Sequence, residues 1–202
     1  MSSYEPKFQY QLGHGTPVPG KTTGSMDCGV RSASMGMDGQ SRGRLKPNMD
    51  TLRKKMGTPG AQTTNVWDVQ KGVEKYKGDS KYKPMRAYVK RSIADVKDAV
   101  SSNKSVLVCI DYGAWNKSGP QQTGDPNFKG GHSILIKGQR RNDKGEIKYL
   151  VHDPLEDARR SSIPQGPRWI HRQMVLDAMV AFSPTKSGSS IYAVVFGGGQ
   201  AK

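Results

Sequence analysis

Cys28 is the residue of this sequence best placed for chemistry, because a polar, glycine-containing stretch gives way there to a helical pattern. Asp27 is suited to cap the helix. Apolar residues follow at the spacing of one buried helical face: Val30, Ala33 and Met37. A thiol in a first helical turn lies near unpaired N–H groups and the positive end of the helix dipole, which favour the thiolate. The Asp27 carboxylate opposes this, so the position predicts a candidate nucleophile without proving one.

A histidine and an aspartate stand at matching ends of a predicted hairpin. Strand-like runs at 130–138 and 146–154 are joined by an Asn-Asp-Lys-Gly turn, a pattern typical of an antiparallel pair. His132 opens the first run and Asp153 closes the second, so we expect them at the same end. A carboxylate that accepts from one imidazole nitrogen fixes the tautomer and leaves the other nitrogen for a thiol. Together with Cys28, these are the parts of a Cys/His/Asp site for nucleophilic attack.

The other cysteine and the other histidines are given no part in this chemistry. Cys109 lies in an apolar run and is predicted to be an unreactive thiol in a buried strand. His152 should face away from Asp153, while His14 and His171 have no evident partner. No pair of Cys or His residues has the spacing of zinc ligands, so we expect neither a metal nor another cofactor. With only two cysteines, no disulfide framework is available.

The helices and strands that must position these residues can be predicted from the spacing of apolar residues, which is mostly helical in the first half of the chain and includes strand patterns in the second. Helical spacing predicts helices from Cys28 to about 36–39, then at 48–55, 64–76, 93–100 and 173–182. Strand patterns fall at 85–89, 106–110 and 191–196, in addition to the two hairpin strands. Residues 113–131 are predicted to form a long functional loop, whose Trp115 and Phe128, with Tyr112, line one wall of a cleft. The sequence thus predicts an α+β fold, with a helical first half packed on an antiparallel sheet from the second half.

The composition describes a basic chain, since 32 Lys and Arg against 17 Asp and Glu give a net charge of +15 in 202 residues. Such a charge favours an anionic polymer or an acidic protein surface as partner, although a merely solvated basic surface is an equal alternative. The basic residues are scattered and form no nucleic-acid-binding motif. No apolar run reaches the ~18 residues of a membrane span. No signal peptide is visible, so we expect synthesis in the cytoplasm.

Three motifs in order resemble the papain-like cysteine peptidases, most closely their bacteriocin-processing, double-glycine branch. They are Asp27-Cys28-Gly29 at a helix start, Gly131-His132-Ser133 opening a strand, and His152-Asp153-Pro154 closing the next. The resemblance extends over about 24–196. It implies that Cys28 is the nucleophile, His132 the general acid and base, and Asp153 the residue that orients the imidazole.

One position departs from the family pattern. Where the family has a Gln upstream of the nucleophile, whose amide helps to bind the oxyanion, this sequence has Thr22. A Thr hydroxyl is a shorter and less well aimed donor, and loss of one oxyanion donor typically costs on the order of 100-fold in rate. Gln11 is an alternative donor from further upstream. The fold implied by the resemblance is therefore better supported than the activity.

The resemblance implies a domain at 24–196, with an irregular arm at 1–23 and a flexible tail at 197–202. The expected function is hydrolysis of an amide bond in a peptide or a peptidoglycan cross-link. A small basic domain of this kind fits a bacteriophage virion or tail, or a lysis enzyme. The main alternative is a non-catalytic virion structural or adaptor protein that keeps the peptidase fold and contacts other virion proteins. Nucleic-acid binding, a third option, depends on charge alone and requires affinity that falls steeply with salt.

Overall fold

The computed structural model describes residues 28–58, 64–76, 84–118, 130–154, 166–183 and 190–198. The helices are α1 (Cys28–Ser41), α2 (Met49–Met56), α3 (Val66–Lys75), α4 (Ile93–Ser101), α5 (Tyr112–Ser118) and α6 (Arg172–Ala181). The strands are β1 (Arg86–Lys90), β2 (Val106–Asp111), β3 (Gly131–Arg141), β4 (Ile147–His152), β5 (Arg168–His171) and β6 (Ala193–Gly197). The expected arm at 1–23 lies outside the described residues, as do 199–202 of the expected tail.

The strands form one sheet in the order β1-β6-β2-β3-β4-β5, and each neighbouring pair is antiparallel. Both faces of its centre are covered. Val108 and Ile110 of β2 belong to a core shared with α4, α5 and α6. Leu107 and Cys109 belong to a second core, shared with α1, α2 and α3. Side chains alternate between the faces of a strand, so a continuous apolar run such as β2 joins both cores. The predicted α+β fold with an antiparallel sheet is confirmed.

Most predicted helices begin at the residues that the sequence indicated. Asn48 caps α2 and Ser92 caps α4, each with its side chain accepting from a first-turn N–H. At α3, Asn65 and Asp68 form a reciprocal capping box. The turn after α2 has Gly57 at φ 79°, the left-handed conformation that glycine adopts without strain. None of the helices in the described ranges is both long enough and apolar enough to cross a membrane.

Helix α1 does not stop at 36–39, as its glycines predicted, but continues to Ser41. The reason is close packing. A Cβ at Gly36 would collide with the Phe196 ring, and a Cβ at Gly39 would lie 3.1 Å from the Lys137 side chain. Gly in a helix costs up to about 1 kcal/mol relative to Ala. Close packing of α1 on the sheet needs glycine at these positions. This packing outweighs the low helix propensity of glycine, so the helix continues.

Two predictions about residues 113–131 were wrong, and one strand was not predicted. The start of the predicted loop at 113–131 is helical, because α5 begins at Tyr112 and Asp111 accepts a 2.8 Å hydrogen bond from the Ala114 N–H. Trp115, predicted to line a cleft, is buried in the core instead. Phe128 lies outside the described residues. Strand β5 was not predicted, since only Ile170 of its four residues is buried and no alternation is visible in so short a run.

Candidate active site

The first turn of α1 places Cys28 beside β3. The Ser32 hydroxyl donates a 2.9 Å hydrogen bond to the Ser133 carbonyl and so fastens the helix to the strand. A Cβ at Gly29 would lie 2.9 Å from the Thr64 side chain, so only glycine lets the helix approach the segment before α3 this closely. Cys28 is therefore positioned from two sides while it remains partly exposed.

His132 and Asp153 meet where β3 begins and β4 ends. Leu135 pairs with His152 across the two strands, so the residue after β4 lies beside the first residues of β3. Nε2 of His132 and Oδ1 of Asp153 are 2.7 Å apart, and the side chains are 1% and 0% exposed. The Tyr112 ring meets the imidazole edge to face, with centroids 4.9 Å apart. Burial removes competing water, so the N–H that His132 donates to the carboxylate holds the ring in one orientation.

A hydrogen bond also joins the Cys28 sulfur to His132. Since Asp153 engages Nε2, the nitrogen left for sulfur is Nδ1. Burial raises the pKa of Cys28, but His132 lowers it through its hydrogen bond and charge, as do the backbone N–H groups of Ser133 and Gly29. The net shift of the Cys28 pKa is downward.

The pKa of His132 moves the other way. Burial lowers it, but the charge and hydrogen bond of Asp153, together with Cys28, outweigh burial and raise the pKa of His132 to about 10. An imidazolium that faces a thiol of lowered pKa favours a thiolate–imidazolium ion pair. The arrangement can therefore attack a carbonyl through sulfur and deliver a proton from nitrogen.

The other buried thiol and imidazole have different properties. Cys109 is buried, with Sγ 3.8 Å from the Ser133 hydroxyl, and burial raises the pKa of its thiol to about 12. His152 is fully buried, and burial together with the positive charge of Lys137 lowers its pKa to about 4. At neutral pH both groups are uncharged. Of the two thiols, only that of Cys28 has a pKa shifted towards the thiolate.

The structure thus brings Cys28, His132 and Asp153 together. The fourth predicted residue, Thr22, and the proposed helix cap Asp27 lie outside the described residues. His171, which had no predicted partner, has Nε2 3.7 Å from Oε1 of Glu146. Within the described ranges, no group of three or more His, Cys, Asp or Glu residues is arranged to hold a metal ion.

Sequence reasoning missed two contributions to the site. The backbone N–H groups of Gly29 and Ser133 lower the pKa of the Cys28 thiol. Every residue except proline has such a group, so the sequence cannot indicate which ones contribute. Tyr112 was assigned to a cleft wall, whereas its ring packs on the imidazole. The only sign in the sequence that this ring is buried was its position two residues after the apolar run 106–110.

A helix that presents a thiol to a buried His–Asp pair on an antiparallel sheet defines a protein of the papain-like class. Consistent with this, the sequence matches the model of the peptidase C39-like family over residues 4–172. The chain therefore belongs to the peptidase C39-like family, which is a family of cysteine peptidase-type hydrolases. Comparison with curated protein sequences finds no significant match.

Solved structures show the same fold at low sequence identity. A protein of Bacillus anthracis described as a C39-like peptidase has a TM-score of 0.57 at 13% identity, with 96% of this chain and 94% of that chain covered. Bromelain from Ananas comosus, solved with the inhibitor E64, has a TM-score of 0.55 at 15% identity and the same coverage. A recombinant stem bromelain precursor has a TM-score of 0.51 at 15% identity, over 85% of this chain and 63% of that one.

Proposed function

We propose that this protein hydrolyses amide bonds, with Cys28 as nucleophile, His132 as general acid and base, and Asp153 as the residue that orients the imidazole. The observation that carries the proposal is the pair of hydrogen bonds on His132, one to the Asp153 carboxylate and one to the Cys28 sulfur. This arrangement keeps a proton on the imidazole and lowers the pKa of the thiol. A protein that used the fold only as a scaffold would gain nothing from a buried ion pair, whose desolvation is costly.

The reaction proceeds by acyl transfer. The Cys28 thiolate attacks the carbonyl carbon, and the negative oxygen that forms is stabilised by the Cys28 backbone N–H, unpaired within the helix at its first turn. The imidazolium of His132 gives its proton to the leaving amine as the C–N bond breaks, which leaves a thioester. Neutral His132 then takes a proton from water, whose oxygen attacks the thioester, and the acid product leaves as the thiolate is restored.

The proposed substrate is a peptide, and the finer proposal is a cross-link peptide of a bacterial cell wall. The net charge of +15 supports it, because a basic protein is attracted to an anionic wall polymer. The corresponding setting is a bacteriophage virion, tail or lysis enzyme. This part of the proposal depends on charge and size, and it is separable from the amide chemistry.

The test compares the two cysteines. Purified protein is incubated with a peptide library and with peptidoglycan, and new amines are measured for the wild type, Cys28→Ala and Cys109→Ala. We expect the cleavage rate of Cys28→Ala to fall to background. Cys109→Ala also removes a thiol group, but from the core, and should retain cleavage. Cleavage that survives Cys28→Ala would refute the assignment. A wild type inactive on every substrate would favour the non-catalytic virion scaffold.

The oxyanion donor is tested separately, because Thr22 replaces the Gln of the family pattern. If Thr22 contributes a weak donor, Thr22→Val removes it and should lower kcat by on the order of 100-fold. Thr22→Gln should equal or exceed the wild type. If instead Gln11 is the donor, Gln11→Ala produces the loss and Thr22→Val does not.

A further inference from the structure

An aromatic strip lies next to the candidate active site. We define it by Trp67, Tyr192 and Phe182, whose rings follow one another edge to face. The centroids of Trp67 and Tyr192 are 5.7 Å apart, and those of Tyr192 and Phe182 are 6.3 Å apart. Trp67 is 49% exposed, although it is a large apolar residue that a fold normally buries. Trp67 thus gives the strip a solvent-accessible end, while Tyr192 and Phe182 are partly buried.

Both ends of the strip connect to the segments that position the thiol and the imidazole. Phe182 packs on the strand start that holds His132, because a Cβ at Gly131 would lie 2.5 Å from its ring. Trp67 stands in the first turn of α3, three residues after Thr64, which packs on Gly29. Tyr192, whose ring lies in the middle of the strip, accepts a hydrogen bond at its backbone carbonyl from the Cys109 N–H. The strip therefore borders the chain segments that hold the thiol and the imidazole.

Arg91 adds a charge to this surface. Its guanidinium carbon is 6.0 Å from the centroid of Trp67 and 5.6 Å from that of Tyr192. The adjacent Lys90 is paired with Asp95 at 3.6 Å, whereas no described carboxylate lies within ion-pair distance of Arg91. A guanidinium that rests on two rings keeps its N–H edge available, and this planar edge binds a carboxylate through two parallel hydrogen bonds.

We propose that Arg91 selects substrates that carry a side-chain carboxylate at the position seated on the aromatic strip. This inference rests on the proposed function, since it concerns the specificity of the same site. The rings contact the aliphatic part of an acidic side chain, and Arg91 binds its carboxylate. Because the guanidinium is already held against Trp67 and Tyr192, little side-chain entropy is lost on binding.

The test uses peptidyl fluoromethyl ketones, in which the thiolate displaces fluoride and forms a thioether without any hydrolysis step. Glu, Gln and Lys are placed in turn at each position, and the second-order rate of Cys28 labelling is measured by mass spectrometry. A hydrogen bond to a charged group is worth about 1.5–3 kcal/mol, so we expect Glu to exceed Gln by about 10- to 100-fold at one position. Lys should react more slowly than Gln there.

Arg91→Gln should bring the Glu/Gln ratio close to one. The matched control is Arg140→Gln, since Arg140 also stacks on an aromatic ring, 4.3 Å from the centroid of Trp169. Arg140 lies on β3 and Trp169 on β5, which is the edge strand of the sheet opposite β1. Arg140→Gln should leave the ratio unchanged. Labelling of Cys28 without a Glu preference, or a preference that survives Arg91→Gln, overturns the inference and leaves the proposed function intact. Failure of every peptide to label Cys28 overturns both.

Discussion

Replacement of His132 by Ala should slow alkylation of Cys28 at neutral pH. In the folded protein, His132 lowers the pKa of the thiol through a hydrogen bond and a positive charge, and it opposes the effect of burial. Without the imidazole, the backbone N–H groups of Gly29 and Ser133 remain, but the largest favourable contribution is lost. The thiol pKa should return to its ordinary value of 9.0 or higher.

The size of the effect follows from the ionised fraction. A thiol of pKa 9.0 is about 1% thiolate at pH 7, whereas a lowered pKa allows a fraction closer to one. The gain in thiolate is thus up to about 100-fold. A less basic thiolate is intrinsically a slower nucleophile, which offsets part of the gain. We expect His132→Ala to reduce the rate with iodoacetamide at pH 7 by about 10- to 100-fold.

The assay is site-resolved mass spectrometry of iodoacetamide adducts from pH 5 to 10, and Cys109 is an internal control. Burial raises the pKa of Cys109 to about 12, so any labelling of it reports unfolding. His132→Asn keeps a polar side chain of similar reach without the charge and should behave like His132→Ala. Equal rates at pH 7 for wild type and both variants would refute the ion pair, as would a wild-type profile that rises only near pH 9.

Two further predictions concern the carboxylate and the packing of α1. Asp153→Asn removes the negative charge that raises the pKa of His132 to about 10. The pH above which amide hydrolysis declines should therefore fall by about 1–2 units. An unchanged pH–rate profile would contradict this expectation. Gly36→Ala places a methyl group against the Phe196 ring and should lower the free energy of unfolding in urea by about 1–3 kcal/mol. Gly138→Ala, which meets nothing within 4 Å, should change it by less than about 0.5 kcal/mol.

The hairpin could be predicted from sequence because its signals are local. Apolar runs on each side of an Asn-Asp-Lys-Gly turn indicate two antiparallel strands, and the placement of His132 and Asp153 at the same end follows from that pairing. The bulge between Ile136 and Gly138 left no signal. The approach of Cys28 to this pair is not local. It depends on α1 packing on β3 through Ser32 and Ser133, and the sequence indicated it only through a family resemblance.

The errors share a physical cause, which is tertiary contact overriding local preference. Gly36 and Gly39 are residue types that break helices, yet the sheet surface next to α1 leaves no room for a side chain at Gly36 and little at Gly39. The start of the predicted loop at 113–131 is helical, since Asp111 accepts from the Ala114 N–H and Trp115 is buried in the core. The aromatic strip was also beyond prediction, because Trp67 is far along the chain from Phe182 and Tyr192.

The lowered pKa of Cys28 has a consequence for the redox chemistry of this protein. Thiolates react with peroxide to give sulfenic acid, while protonated, buried thiols react slowly. Air or hydrogen peroxide should therefore consume Cys28 long before Cys109, and dithiothreitol should restore the sulfur as long as oxidation has not passed the sulfenic stage. Handled without reductant, the molecule would lose its candidate nucleophile while its fold stayed intact.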